Sequence, residues 1–441
     1  MRVDSETAST DGVVPEVSTR RRGYTLSGRD AYALVAGVVG LGLFASVTPS
    51  PLYQTYATLW HFSPLTLTLV YATYAFGVLT TLLLAGSVSD QVGRRPTLLV
   101  AMTALMGSTI LYLLAASVAW LFVARGLQGL ATGAALSAAS AAMLDLKPNH
   151  DAAGVGITNA VVSAGGIALG ILISSSLIEL GWESQVLPYL VLLGLFGAAL
   201  VGVWVMPEPV TKTLQMRITP RWPSVPTAIR GPFLLASLAA LASWSIGGLF
   251  FSLGPELSDD LFKSMNVVVS AVGVVALAGS ATVAGLIFGR ILPWIAASAG
   301  SLALAAGVIM IVTATAIGSS PIYLTGSVLG GIGFGLAFLG GLRGLVSVIP
   351  ERDRGAVMSA FYVVAYASLS VPAVVAGALV PRLGLRPTFE VFGLIAAAAA
   401  LIVAVEAYVT RPVSRPGMAQ SQVGRRGQTT DLEHPPFTVP R

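Results

Sequence analysis

Twelve times along this chain a run of about twenty apolar residues returns, and a short polar stretch closes each one. No other feature limits the possible folds so sharply. The hydrocarbon core of a bilayer is ~30 Å thick, so a helix needs ~20 apolar residues to cross it once. The runs begin near Ala31, Pro64, Pro96, Trp120, Val155, Gln185, Pro232, Val267, Pro293, Ser320, Ala356 and Phe389. None alternates with period two, which excludes the strands of a membrane barrel. Only 10% of residues are charged, against roughly 25% in soluble domains. A chain this apolar cannot cover its own surface with polar groups, and lipid is the solvent that suits it. The expected fold class is an all-α membrane protein of twelve transmembrane helices, with both termini on one side.

The loops say which side. With the N-terminus inside, the cytoplasmic segments collect Arg20, Arg21, Arg22, Arg29, Arg94, Arg95, Lys147, Lys212, Arg217, Arg221, Arg230, Arg290, Arg352, Arg354, Arg411, Arg415, Arg425 and Arg426. The opposite face holds Lys263, Arg382 and Arg386. This bias predicts a multi-pass protein of the cell's cytoplasmic membrane with both termini cytoplasmic. The stretch Thr19–Tyr24 loosely resembles a twin-arginine signal. The run behind it is long enough to span and has no small-residue cleavage site, so an uncleaved first helix is expected. The net charge of +5 is spread over short loops between apolar runs, which does not make a nucleic-acid surface. With no cysteine there is no disulfide framework and no thiolate metal site. His61, His150 and His434 fall in loops or the tail, and no metal-spaced cluster lies in a span.

The chain divides into a polar tail (1–30), a six-helix bundle (31–206), a linker (207–231), a second bundle (232–410) and a polar tail (411–441). Both tails are expected to be disordered. Pro207, Pro209, Pro220, Pro223 and Pro226 mark the linker as a cytoplasmic spacer. The halves read as repeats. Gly129-x-x-x-Gly133 in the fourth span recurs 202 residues later as Gly331-x-x-x-Gly335 in the tenth. Pro148 maps onto Pro350, Gly154 nearly onto Gly355, and Pro51 onto Pro255, at offsets within two residues of the first. Parallel six-helix repeats match a two-half transporter plan, with a site near the midplane between the halves.

Between spans two and three stands Gly86-Ser-Val-Ser-Asp90-Gln-Val-Gly93-Arg94-Arg95-Pro96. The fourth span carries Arg125-x-x-Gln128-Gly129-x-x-x-Gly133. These two segments resemble signature motifs of the major facilitator superfamily, and the likeness extends over residues 30–410. In style, including Thr48-Pro-Ser-Pro51-Leu-Tyr53, the chain is similar to actinobacterial drug-efflux-type members. It departs from the drug:proton antiporter pattern in the fifth span, where Gly165-Gly166-x-x-x-Gly170 is followed by Ile171 and not by proline. In the second half the signature loop survives as Gly289-Arg290.

The resemblance implies a gate. Gly86 and Gly93 permit a tight turn. Asp90 is implied to face the start of the eleventh span near Gly355 and Ala356, where a carboxylate is favoured at a helix N-terminus. Arg94 needs a carboxylate, and Asp145 at the end of the fourth span is the candidate; Arg95 also satisfies the positive-inside rule alone. Arg125 lies several residues inside a span, where an arginine costs ~2.5–3.5 kcal/mol and is usually functional. The competing reading is that it snorkels to the headgroups. Gln128 lies one turn on. The repeat places Ser327 opposite Arg125, so the architecture alone does not demand the charge. Arg343 is placed to snorkel at the end of the tenth span.

A cavity lined by spans one, four, seven and ten, with help from two, five, eight and eleven, is implied as well. Its candidate side chains are Tyr53, Gln54, Tyr74, Asn159, Ser163, Trp244, Ser327, Phe334, Tyr362 and Tyr366. For the aromatics the alternative is ordinary packing, and Tyr53 and Tyr56 also fit an interfacial belt. No carboxylate falls at mid-membrane: Asp30, Asp145, Glu179, Glu256 and Glu406 all lie near span ends. Asp30, Glu179 and Glu256 are the titratable candidates for coupling, and Asp259-Asp260 reads as a loop pair balancing Lys263.

These features point to a secondary transporter, acting as a monomer on a small molecule. The leading expectation is proton-coupled efflux of hydrophobic or amphipathic compounds. The alternatives are import or facilitated passage of a sugar or organic acid, and a non-transporting sensor or scaffold. There is no Walker loop, no dinucleotide loop around Gly331-x-Gly333-x-Gly335, and no cluster for interfacial catalysis. Neither an enzyme nor a cofactor is expected.

Overall fold

The structure is a computed structural model that describes residues 26–84, 88–147, 151–181, 185–209, 222–264 and 266–411. Both tails, the middle of the linker, Gly86, Pro148 and His150 lie outside the described residues. The helices are α1 (Gly28–Val47), α2 (Tyr53–Trp60), α3 (Pro64–Leu84), α4 (Val88–Val92), α5 (Arg94–Leu113), α6 (Val118–Leu146) and α7 (Ala152–Glu179). They continue as α8 (Leu187–Val205), α9 (Arg230–Phe262), α10 (Val267–Phe288), α11 (Pro293–Ile317), α12 (Ser320–Val346), α13 (Arg354–Leu383) and α14 (Leu385–Val409). Among the described residues twelve spans are long and apolar enough to cross a membrane. The first joins α1 to α2, and the short α4 sits in the loop before α5. The ends of α1 and α14 therefore share one face, here the termini face; the other is the far face.

Local chemistry sets the boundaries. Ser27 caps α1, its hydroxyl receiving the amide of Asp30 at 3.3 Å and donating to that carboxylate at 2.7 Å. Asp30, in the first turn of α1, is thereby tied to that cap. Asn266 caps α10 by accepting from Val268 and Val269 at 3.0 and 3.1 Å. The first span breaks at Thr48-Pro-Ser-Pro51, because two prolines remove amide donors and crowd the preceding turn. A 3-10 turn at Ser50–Leu52 carries the chain into α2. The second bundle opens at Arg230, two residues before the expected Pro232, since proline is tolerated in a first turn. Asp259 and Asp260 lie in the last turn of α9 and not in a loop, and Asp260 answers Arg386 at 2.5 Å as well as Lys263 at 3.1 Å.

Lipid is as apolar as a leucine, so these helices associate through close packing and small residues. Gly129 and Gly133 of α6 lie on the backbone of α3 at Tyr74 and Val78, where a Cβ has no room. Gly331 and Gly335 of α12 sit the same way on Leu277 and Ala281 of α10. Gly166 and Gly170 of α7 rest on Gly40 and Phe44 of α1, and Gly248 of α9 rests on Leu369 of α13. In each half, then, the second and fourth spans pair, as do the first and fifth, which is the repeat expressed as packing. The halves meet along two seams, α3 with α13 and α7 with α10.

Candidate functional site

At the termini face, the signature loop closes into a charged knot. Gly93 adopts φ +109°, a conformation that favours glycine, and turns the chain into α5. Arg94 donates from Nε to Asp145 at 2.9 Å and from Nη1 to Ser89 at 2.8 Å, and its Nη1 also pairs with Asp90. The Arg94 side chain is only 9% exposed, so it is held by partners and not by water. A residue not anticipated from sequence completes the knot. Glu208, just beyond α8, accepts the amides of Arg94 at 2.9 Å and Arg95 at 3.1 Å and thus caps α5. The signal available was one acid between Pro207 and Pro209. Asp90, Arg94, Asp145 and Glu208 tie the ends of α4, α5, α6 and α8 together within the first half.

Beside the knot, Asp151 caps α7. It accepts the Gly154 amide at 2.8 Å and pairs with Lys147 at 3.0 Å. The Gly154 N–H, and then Lys147, hold its carboxyl below the usual range, and Arg290 of the second half adds to this. Arg343 does not snorkel: its Nη1 donates to the carbonyls of Gly289 and Ile291 at 2.7 and 2.9 Å and fastens the end of α10.

Arg125 is about 10 Å inside α6 from the far face, at ~1.5 Å per residue. Its exposure is 0%, which rules out snorkelling. Nε donates to the Tyr53 hydroxyl at 2.6 Å, and Nη1 donates to the Ser46 carbonyl at 2.6 Å and to Gln128 Oε1 at 2.7 Å. Gln128 in turn donates to the Ala45 carbonyl at 2.9 Å. The guanidinium lies 5.3, 4.9 and 5.6 Å from the ring centres of Tyr53, Tyr71 and Tyr74, within cation–π range. Nη2 has no partner, and among the described residues no carboxylate pairs with this cation. Tyr53 and Tyr56 are buried around this group, 2% and 5% exposed, and do not form an interfacial belt.

Arg125 stands directly behind the wall of a cavity between the halves. Ser46, Val47, Thr68, Tyr71, Ala72 and Tyr74 line one side; Gly248, Phe251, Leu369, Ser370 and Ala373 line the other. The lining comes from α1, α3, α9 and α13, so spans two and eleven take the places expected for four and ten. Its volume is about 40 Å³, room for a water or two and no organic substrate. Toward the termini face, Tyr74, Val78, Trp244, Tyr362 and Tyr366 plug it across both halves. Trp244 meets Tyr366 at 5.1 Å edge-to-face and Phe338 at 5.2 Å. Toward the far face, Gly377 of α13 packs against Pro64 and Thr68.

Of the sequence candidates, Tyr74 lines this cavity and Trp244, Tyr362 and Tyr366 close it. Gln54 lines a separate cavity at the far face. Tyr53 serves Arg125. Asn159 donates to Ser140 at 3.1 Å. Ser163 is half-buried on α7. Ser327 is 0% exposed and spends its hydroxyl on the Tyr323 carbonyl at 2.8 Å, so it lines no open space. Phe334 packs against Gly247. Sequence reasoning missed Ser46 and Tyr71, because nothing in the linear pattern says which turns of α1 and α3 face Arg125.

Twelve spans in two pseudo-repeated bundles, with a buried cation beside a cavity between the halves, have the architecture of a membrane transporter. Residues 33–371 match the Major Facilitator Superfamily, and the chain belongs to that family. Its fold is similar to the crystal structure of the human organic anion transporter MFSD10 (TETRAN). The TM-score is 0.64 at 16% identity, covering 87% of this chain and 100% of the other. Comparison with curated proteins gives no match.

Proposed function

We propose that this transporter exports small amphipathic organic anions from the cytoplasm by alternating access, with Arg125 as the counter-ion of the travelling charge. One observation carries the reading. A fully buried arginine keeps an unpartnered Nη2, has no carboxylate partner among the described residues, and backs onto the cavity between the halves. Leaving a charge so placed is costly unless something completes it in the working cycle. A substrate carboxylate, sulfonate or phosphate offers a guanidinium the bidentate partner it lacks here. The mostly apolar and aromatic walls favour a substrate with an apolar body. The human protein of similar fold is described as an organic anion transporter. At that identity the likeness is one of fold, and the substrate class is argued here from Arg125.

Anion export also accommodates the lack of a mid-membrane carboxylate. A monoanion leaving an inside-negative cell gains about 2.3 kcal/mol per 100 mV. The electrical part of the proton gradient can thus drive export without a titrating side chain. The positive loop bias supports cytoplasmic termini in the cell membrane. On that orientation the Asp90–Arg94–Asp145 knot and the Trp244–Tyr366 plug form the inner gate, with Asp90 docking on the first turn of α13 in one state. The acting unit is the monomer.

The test uses everted membrane vesicles energised to be positive inside, loaded with a potential-sensitive dye. Amphipathic carboxylates, their neutral amides and matched amines are added in turn. Carboxylates alone should dissipate the potential, and Arg125→Gln should abolish the response. A response to the amides or amines that survives Arg125→Gln overturns the anion assignment.

A further inference from the structure

We infer that the far face carries a second ligand site, shared by the two halves, for a small amine with an apolar body. It is distinct from the Arg125 cavity and does not rest on the export reading. The site is a cavity of about 370 Å³, at the small end of the ~300–1,000 Å³ typical of ligand pockets. The first half supplies Pro51, Gln54, Thr55, Thr58 and Leu59 around α2, and Ile171 and Ser175 from α7. The second half supplies Pro255 of α9, and Val267, Ser270 and Ala271 of α10.

Two independent observations point to an occupant. Ser175 is 0% exposed, lines this cavity, and its hydroxyl has no partner. Buried hydroxyls are ordinarily satisfied, so this one awaits a donor or acceptor in the space it faces. The second observation is electrostatic. Asp259 accepts the hydroxyl of Ser270, which lies in the cavity wall with Gln54, and Glu256 stands one turn earlier on α9. The neighbouring cations are already committed: Arg386 and Lys263 both answer Asp260, at 2.5 and 3.1 Å. Glu179 is turned to the Val267 amide at 3.2 Å, across the halves. Among the described residues, Glu256 and Asp259 have no cation partner. An ammonium supplies both missing elements, N–H donors for Ser175 and Gln54 in the wall and a positive charge toward Asp259, which stands behind Ser270. Pro51, Leu59, Ile171, Pro255 and Ala271 would pack its apolar body.

The walls belong to both halves, so the cavity keeps this shape only while the far face is closed. An amine bound there stabilises that arrangement by population shift and slows transport without entering the central cavity.

The experiment is calorimetric titration of the full-length protein in lipid nanodiscs with 2-phenylethylamine, and with 2-phenylethanol as its neutral isostere. Saturable binding of the amine is expected, at least about tenfold tighter than the alcohol, the size of one lost charge-assisted hydrogen bond. Asp259→Asn and the cavity-filling Ala271→Phe should each weaken the amine by about tenfold or more. Arg125→Gln should leave its binding unchanged. The two far-face variants alter charge and space separately, so misfolding of one, read by size exclusion, leaves the other decisive. Equal binding of amine and alcohol, no saturable binding to the folded protein, or loss in Arg125→Gln with retention in Ala271→Phe overturns the assignment.

Discussion

Arg125 is held by three hydrogen bonds and three tyrosine rings, and the bond to the Tyr53 hydroxyl can be removed without disturbing a ring. Tyr53→Phe keeps the ring and deletes the hydroxyl that receives Nε. A hydrogen bond to a charged group is worth about 1.5–3 kcal/mol. The variant should therefore lose several degrees of melting temperature in detergent while retaining measurable transport. Arg125→Gln should abolish transport with the protein still inserted, because the charge itself is gone. Asp151 gives a pH prediction. Its carboxyl is held below the usual range by the Gly154 amide and Lys147. A depressed carboxyl contributes its cap above the ordinary carboxylate pKa of ~3.9, and the cap is lost only as pH falls through the lower folded value. Asp151→Asn should therefore leave the pH midpoint of transport unchanged between pH 5 and 8, roughly the range in which carboxylates stay ionised. A shifted midpoint in flux measurements would show that Asp151 titrates in that range. At this scale the sequence was legible where a charge sat in an apolar run, as at Arg125, or where spacing demanded a partner, as for Arg94 with Asp145. It was silent on Tyr71 and Ser46, whose roles depend on helix rotation, and on Glu208, which meets Arg94 across 114 residues.

Helices in this protein are fixed by their ends and by their glycine faces. Glu208 alone satisfies two amides at the start of α5, so Glu208→Ala should cost about 1–2 kcal/mol, the range for losing a cap. It should also loosen Arg94, read as faster proteolysis of the loop between α3 and α5. Glu208→Gln, which keeps acceptor capacity through one oxygen, should recover part of the loss. The glycine pairs make a symmetric prediction. Gly129→Val and Gly331→Val each place a branched side chain against the backbone of the neighbouring helix. Both should lower the yield of folded protein sharply, whereas Gly279→Ala, with open space around it, should not. The element starts were readable from apolar runs and prolines, to within a few residues. The break between α1 and α2 was written in Pro49 and Pro51, yet an apolar run that continues on both sides of the turn hides it.

As a whole, the molecule is two bundles joined by two seams, with a cavity pinched between them. Alternating access needs the α3–α13 seam to open at one face while it holds at the other. The chain has no native cysteine, so paired cysteines report on this without background. Thr68→Cys with Gly377→Cys should cross-link at the far face, and an oxidised bridge should stop transport until it is reduced. The repeat that predicts this architecture was visible as the offset between Gly129 and Gly331, and the structure shows why: both glycines serve the same helix pairing. The position of the cavity was less legible, because which spans approach the midplane depends on the state of the seams.

The most direct measurement is flux under an imposed potential. Proteoliposomes carrying the purified protein are given a 100 mV potassium diffusion potential, positive inside, by valinomycin, with a radiolabelled amphipathic carboxylate outside. At about 2.3 kcal/mol per 100 mV, a transported monoanion should accumulate roughly fiftyfold, and Arg125→Gln should reduce this to the level of empty liposomes. Accumulation that ignores the potential, or that the neutral amide reproduces in both wild type and Arg125→Gln, would contradict an anion carried against this arginine.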